Sequence, residues 1–143
     1  MWAPSEWSRP RSVSPRKTVD DLLAEARARL ARLDPASARE ALEHGALLVD
    51  IRSESQRERD GLVADAVFFP RNVIEWRADP SSPAHDPRFA DLDRPVVVMC
   101  HEGYQSSLVA STLQDLGFSR ATDLAGGFEA WREAGLPVER PGA

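Results

Sequence analysis

The chain holds a single cysteine, Cys100, at the end of the apolar run Val96-Val97-Val98-Met99. The polar stretch His101-Glu102-Gly103-Tyr104-Gln105-Ser106-Ser107 follows it, and then a segment with helical spacing. A thiol set where a strand becomes a helix is placed for nucleophilic chemistry. The first N–H groups of a helix have no partner within it and carry the positive end of its dipole. If residues 101–105 curl around the sulfur, their N–H groups form a nest for an anion. Gly103 permits the positive φ that such a curl needs. The thiolate is the reactive form of cysteine, and a nest of this kind favours it. A free cysteine is also often a buried small hydrophobe, but that role does not require a polar, glycine-containing loop after it. His101, if protonated, would favour the thiolate, and ionised Glu102 would oppose it. Tyr104 and Gln105 are expected to shape the rim of the pocket. Ser106 and Ser107 are expected to cap the helix rather than to bind the sulfur.

Alternating strands and helices must position this loop. Thr18 to Leu33 has one apolar stripe, with Thr18 as N-cap and Asp20 and Asp21 in the first turn, and is predicted to be a helix. Pro35 opens a second short helix that Gly45 stops. Residues 46–51 form a short apolar run, as a strand buried on both faces does, ending in Asp50-Ile51-Arg52. Residues 53–60 are charged and predicted to make a helical turn or two. Residues 66–69 and 96–99 are the next strands, separated at 79–95 by a Pro- and Asp-rich loop with at most one helical turn. Residues 106–116 are predicted to be helical with Gly117 beyond their end, 121–124 to be a strand, and 128–134 to be the last helix. The alternation implies an α/β domain with a parallel sheet covered on both faces.

The 143 residues suffice for one domain with a proper core. The formal net charge is −5. Arg9, Arg11, Arg16 and Lys17 against Glu6 make residues 1–17 net +3, which leaves −8 on the remainder. An acidic domain argues against nucleic acid as a partner. One cysteine excludes an internal disulfide and any all-cysteine metal site, and His44, His85 and His101 are too far apart for a zinc motif. Neither a metal nor another cofactor is expected. No apolar run is long enough for a membrane span, and the N-terminus lacks the apolar core of a secretory signal. A free thiol suits the reducing cytoplasm. Residues 1–17 read as a disordered tail and 139–143 as a short C-terminal one.

The residues then resemble a family. Leu47-Leu48-Val49-Asp50-Ile51-Arg52, Cys100 with its loop, Leu113-Gln114-Asp115-Leu116-Gly117-Phe118, and Leu124-Ala125-Gly126-Gly127-Phe128-Glu129-Ala130-Trp131 with Gly135-Leu136-Pro137-Val138 stand in the order found in single-domain rhodaneses. The resemblance covers residues 35–138, with 18–34 as an N-terminal helical extension. It implies a three-layer α/β/α domain with a mostly parallel sheet of about five strands. It implies a sulfurtransferase in which Cys100 takes a sulfane sulfur from a donor such as thiosulfate or a persulfide. A thiol, a partner protein or cyanide then accepts that sulfur. By the same resemblance, residues 101–106 bind substrate and Asp50 and Arg52 brace the active-site loop. Many members carry arginine where Gln105 stands; one of Arg71 and Arg77 could supply that charge, although a solvated surface arginine is the favoured reading of each. The missing arginine also raises an alternative, a non-catalytic module for protein interaction or sulfur sensing. Phosphatases of related fold need Cys-x5-Arg, and Ser106 occupies the arginine's place.

Overall fold

The computed structural model describes residues 15–142; the predicted tail falls mostly on residues 1–14, outside the described residues. Four strands form one sheet: β1 (Leu47–Asp50), β2 (Val67–Phe68), β3 (Val96–Met99) and β4 (Ala121–Asp123). Their order is β2-β1-β3-β4, and every pairing is parallel. The central strands β1 and β3 are buried along their whole length, which explains their unbroken apolar sequences.

Side chains alternate across this sheet and feed two cores. Val49, Val96 and Val98 join Phe89, Leu113 and Phe118 on one face. Leu48, Val97 and Met99 join Ala38, Phe128 and Trp131 on the other. Helix α1 (Val19–Ala28), α4 (Ile74–Ala78) and α5 (Gln105–Asp115) lie on the first side. Helices α2 (Pro35–Glu43) and α6 (Gly127–Glu133) lie on the second. The expected three-layer α/β/α architecture is thus present. Helix α3 (Glu54–Asp60) has no buried residue and sits after the carboxyl end of β1.

The sheet has four strands rather than about five. The fifth is reduced to one parallel bridge between Leu33 and Leu124. This follows from where α1 stops. The helix was expected to run to Leu33 but ends at Ala28, although its Thr18 cap is as predicted and is completed by Asp21. The Leu33 N–H donates to the Asp123 carbonyl at 3.0 Å, and Ala125 N–H donates to the Leu33 carbonyl at 2.8 Å. The chain therefore leaves the helix to add one residue to the sheet edge. Asp34 then caps α2 by accepting from Ser37 N–H, with Pro35 in the first turn. Helix α4 has no counterpart in the elements expected from sequence, because its five residues are too few for a periodic signal.

The Pro- and Asp-rich loop is fixed by Asp86. Its carboxylate accepts from the backbone N–H and the guanidinium of Arg88, and Arg77 lies 3.4 Å away. These contacts, the Arg88 side chain first, hold the Asp86 carboxyl down from 3.8 to about 2. A carboxyl depressed on folding contributes stability that is present above its unfolded value and lost as pH falls through its folded one. Asp86→Asn should therefore destabilise the protein by about 1 kcal/mol at neutral pH. The gap from wild type should shrink as pH falls from about 4 toward 2, as chemical denaturation across that range would show.

Candidate active site

The end of β3 delivers Cys100 into a tight loop. The residue is only 4% exposed, and its Sγ accepts from the N–H of Gly103 at 3.2 Å and of Ser106 at 3.4 Å. The predicted curl is therefore formed. Gly103 supplies the positive φ, +89°, and packs so closely that a Cβ there would lie 2.7 Å from the Gly126 nitrogen. The start of α6 holds the loop from below. Phe128 N–H donates to the Cys100 carbonyl at 2.8 Å, and Glu129 N–H to the His101 carbonyl at 3.1 Å. Gly127 makes this approach possible, since a Cβ would stand 2.5 Å from the Cys100 carbonyl oxygen. The Gly126-Gly127 pair is thus a backbone contact with the cysteine loop as well as a helix start.

Ser106 and Ser107 do not cap α5. Helix α5 begins after Tyr104 without a side-chain cap, and both hydroxyls donate instead to Asp123 Oδ2, at 2.7 and 2.8 Å. Asp123 is fully buried at the end of β4 and also accepts from Arg32 Nε and Nη2. A buried carboxylate with four donors is a stronger attraction for the two hydroxyls than a helix end. The Ser106 side chain is thereby committed to Asp123, while its backbone N–H serves the sulfur.

Asp50 and Arg52 form a buried pair, but they brace a different segment from the one expected. Arg52 Nε and Nη2 donate to the two oxygens of Asp50, and Nη2 donates also to the Gly61 carbonyl. The Arg52 guanidinium lies 4.0 Å over the Phe128 ring. The pair therefore ties together β1, the turn after α3 and the start of α6. The cysteine loop itself is braced by Asp123. Arg57 also reaches Asp50, at 3.1 Å, so two guanidiniums share one carboxylate and a net positive charge remains. Among the described residues, Arg52 Nη1 is buried without a hydrogen-bond partner.

An open cavity of about 560 Å³ is lined by Cys100, His101, Gln105, Arg52 and Arg71 among others. Arg71 and Arg77 are thus separated. Arg71 reaches the cavity, while Arg77 turns away to Asp86 and the Ala84 carbonyl. Gln105 is exposed at the rim as expected. Tyr104 is 57% exposed, lies under Arg27 at 5.5 Å and does not line the cavity. Glu102 is exposed and outside the lining too.

His101 borders the cavity, but its ring nitrogens face α6 and α3. Nε2 is 3.0 Å from Glu129 and Nδ1 is 3.8 Å from Asp60. The three side chains bring their ligand atoms within 4.8 Å of one another, close enough for a metal. Their carboxylates are already engaged, Asp60 by Arg59 at 2.9 Å and Glu129 by Arg132 at 2.7 Å. The Arg59 contact also holds the Asp60 carboxyl below its usual value. The cluster is a salt-bridge network.

The sequence reading gives Asp123, Arg27 and Arg32 no role at the site. The signal for Asp123 is a lone carboxylate ending a short strand, Ala121-Thr122-Asp123, whose burial calls for partners. Among the described residues, no helix is long and apolar enough to cross a membrane.

The class of the protein is bounded by a parallel α/β domain with one buried thiol in an N–H-lined loop at a strand end. Comparison with known proteins narrows it. The model of the rhodanese-like domain matches residues 34–134. The chain belongs to that family, and its enzyme class is the rhodanese-type sulfurtransferase. It is 38% identical over 101 residues to the thiosulfate sulfurtransferase GlpE of Pseudomonas syringae pv. syringae, covering 71% of this chain and 86% of that one. A Rhodopseudomonas palustris protein of unknown function, RPA3614, described as a possible tyrosine phosphatase, superposes with a TM-score of 0.81 at 33% identity. The match covers 92% of this chain and 99% of that one. The Wolinella succinogenes polysulfide-sulfur transferase, a homodimer, matches with a TM-score of 0.65 at 26% identity, covering 84% of this chain and 85% of that one.

Proposed function

We propose that the chain carries a sulfane sulfur on Cys100, taking it from thiosulfate or a persulfide and passing it to a thiol. The observation that carries this is Cys100 in the cavity lining, with two backbone N–H groups donating to its Sγ. Those donors stabilise negative charge on the sulfur both before attack and after it leaves. In the first half-reaction the Cys100 thiolate attacks the outer sulfur of thiosulfate. A new S–S bond forms, the old one breaks, and sulfite departs with its electron pair. In the second, an acceptor thiolate attacks the outer sulfur of the persulfide, and Cys100 leaves as thiolate. Cyanide in place of the thiol yields thiocyanate. The sole cysteine cannot resolve its own persulfide, so the acceptor comes from outside. A reducing, cytoplasmic setting suits such a thiol.

Anionic donors fit the charge around the cavity. Arg71 contributes a guanidinium to the cavity wall, partly offset by Glu75 at 3.7 Å, and Arg52 with Arg57 leaves one positive charge uncompensated by Asp50. Both are weaker capture devices than an arginine in the loop itself. Gln105→Arg should therefore lower the KM for thiosulfate several-fold, by about 1 kcal/mol of added attraction at a solvated rim. A steady-state comparison with thiocyanate formation as readout checks it; an unchanged KM would mean that this position does not limit anion capture. Phosphate-ester hydrolysis is disfavoured by the same loop. The arginine that such an enzyme closes on its oxyanion is Ser106 here, and the Ser106 hydroxyl is bound to Asp123.

A further inference from the structure

The segment before the family domain reaches into the cysteine loop. Arg27, on the last turn of α1, donates from Nη2 to the Gly103 carbonyl at 2.8 Å and from Nε to Ser107 Oγ at 3.1 Å. Arg32 donates to the same carbonyl at 2.9 Å while its other contacts go to Asp123. Gly103 is therefore clamped at both ends, its N–H on the Cys100 sulfur and its C=O on two guanidiniums. The charges of Arg32 and Asp123 cancel. Arg27 has no carboxylate partner among the described residues, so the cluster behind the loop is net positive.

We infer that Arg27 is a positioning residue for sulfur transfer. It fixes the Gly103 peptide against the sulfur and supplies, from behind the loop, part of the positive charge that Gln105 does not supply from within it. Both residues that clamp the Gly103 carbonyl precede residue 34, where the family match begins. The N-terminal helix is thus a working part of the catalytic unit and not only a packed extension. The charge lies one residue from Sγ and does not line the cavity. It stabilises the Cys100 thiolate as nucleophile and as leaving group, so its loss should appear in kcat more than in KM for the donor.

The inference rests on Cys100 as the reacting sulfur, and one experiment separates the two claims. The full chain and its Arg27→Gln, Arg27→Lys and Arg29→Gln variants are compared by the rate of Cys100 alkylation with iodoacetamide at pH 7, and by thiosulfate-to-cyanide transfer. Arg29 anchors the same helix to Ser111 and Asp115 without touching the loop, so its variant reports helix loosening alone. Arg27→Gln should slow alkylation about fivefold and lower kcat by a similar factor, with the thiosulfate KM changed less than about twofold. Arg27→Lys should recover most of both rates, and Arg29→Gln should match wild type. Equal alkylation rates in wild type and Arg27→Gln would overturn the inference. So would a lysine variant as slow as the glutamine one, or an Arg29→Gln variant equally slow. If the wild type takes no sulfur from thiosulfate or from polysulfide, the persulfide reading falls, and the alkylation series still decides the role of Arg27.

Discussion

Cys100→Ser should abolish sulfur transfer, lowering the rate of thiocyanate formation at least about a thousandfold, while leaving the fold in place. The hydroxyl that replaces the thiol can accept from the same Gly103 and Ser106 N–H groups, so the loop retains both donors' partner. A serine hydroxyl is almost wholly protonated at neutral pH and a poor nucleophile toward sulfur, and no other cysteine can substitute. The thermal midpoint should move by only a few degrees, since the change is nearly isosteric and costs about 1 kcal/mol. Activity and circular dichroism on the same preparation distinguish lost chemistry from lost structure. Retention of more than a few per cent of the wild-type rate would show that the sulfur passes elsewhere.

The second large effect is expected at Asp123. This carboxylate is fully buried and gathers Ser106, Ser107 and Arg32, so it fixes the start of α5, the Gly103 clamp and the sheet edge together. Asp123→Ala leaves a guanidinium and two hydroxyls without their acceptor in a buried site. Removing one member of such a network costs about 3 kcal/mol, or on the order of 10 °C in Tm for a domain of this size. The Ser106 N–H is part of the sulfur's environment, so release of the serine should also reduce transfer about ten- to a hundredfold. Asp123→Asn keeps one oxygen acceptor for the hydroxyls and should fall between. Melting curves with transfer rates below each midpoint provide the check. An alanine variant with wild-type Tm would mean that the network contributes nothing net.

The sequence made the sheet legible because its central strands are buried on both faces and therefore read as unbroken apolar runs. Cys100 and Gly103 were legible because the chemistry of a strand-end thiol demands an N–H-rich loop and a positive φ. Contacts that join distant segments were not legible. The end of α1 was overrun because Leu30 and Leu33 continue its apolar spacing, yet Leu33 pairs with the sheet edge and Leu30 packs on the core. Arg27 and Arg32 look like favourable charges near a helix end, and only the fold shows both on the Gly103 carbonyl. Ser106 and Ser107 suit a capping role by position, and the buried Asp123 carboxylate redirects them. Asp50 and Arg52 stand out as a charged strand end, but their brace falls on Gly61 and Phe128.

The most direct test of the account is the intact mass of the full chain after incubation with thiosulfate, followed by cyanide. Because Cys100 is the only cysteine, a gain of one sulfur atom that a reductant reverses must sit there. The account predicts that gain and its discharge as an equal amount of thiocyanate. No gain from thiosulfate or from polysulfide, with the thiol still open to alkylation, would contradict it and leave a rhodanese-like domain that binds without turning over.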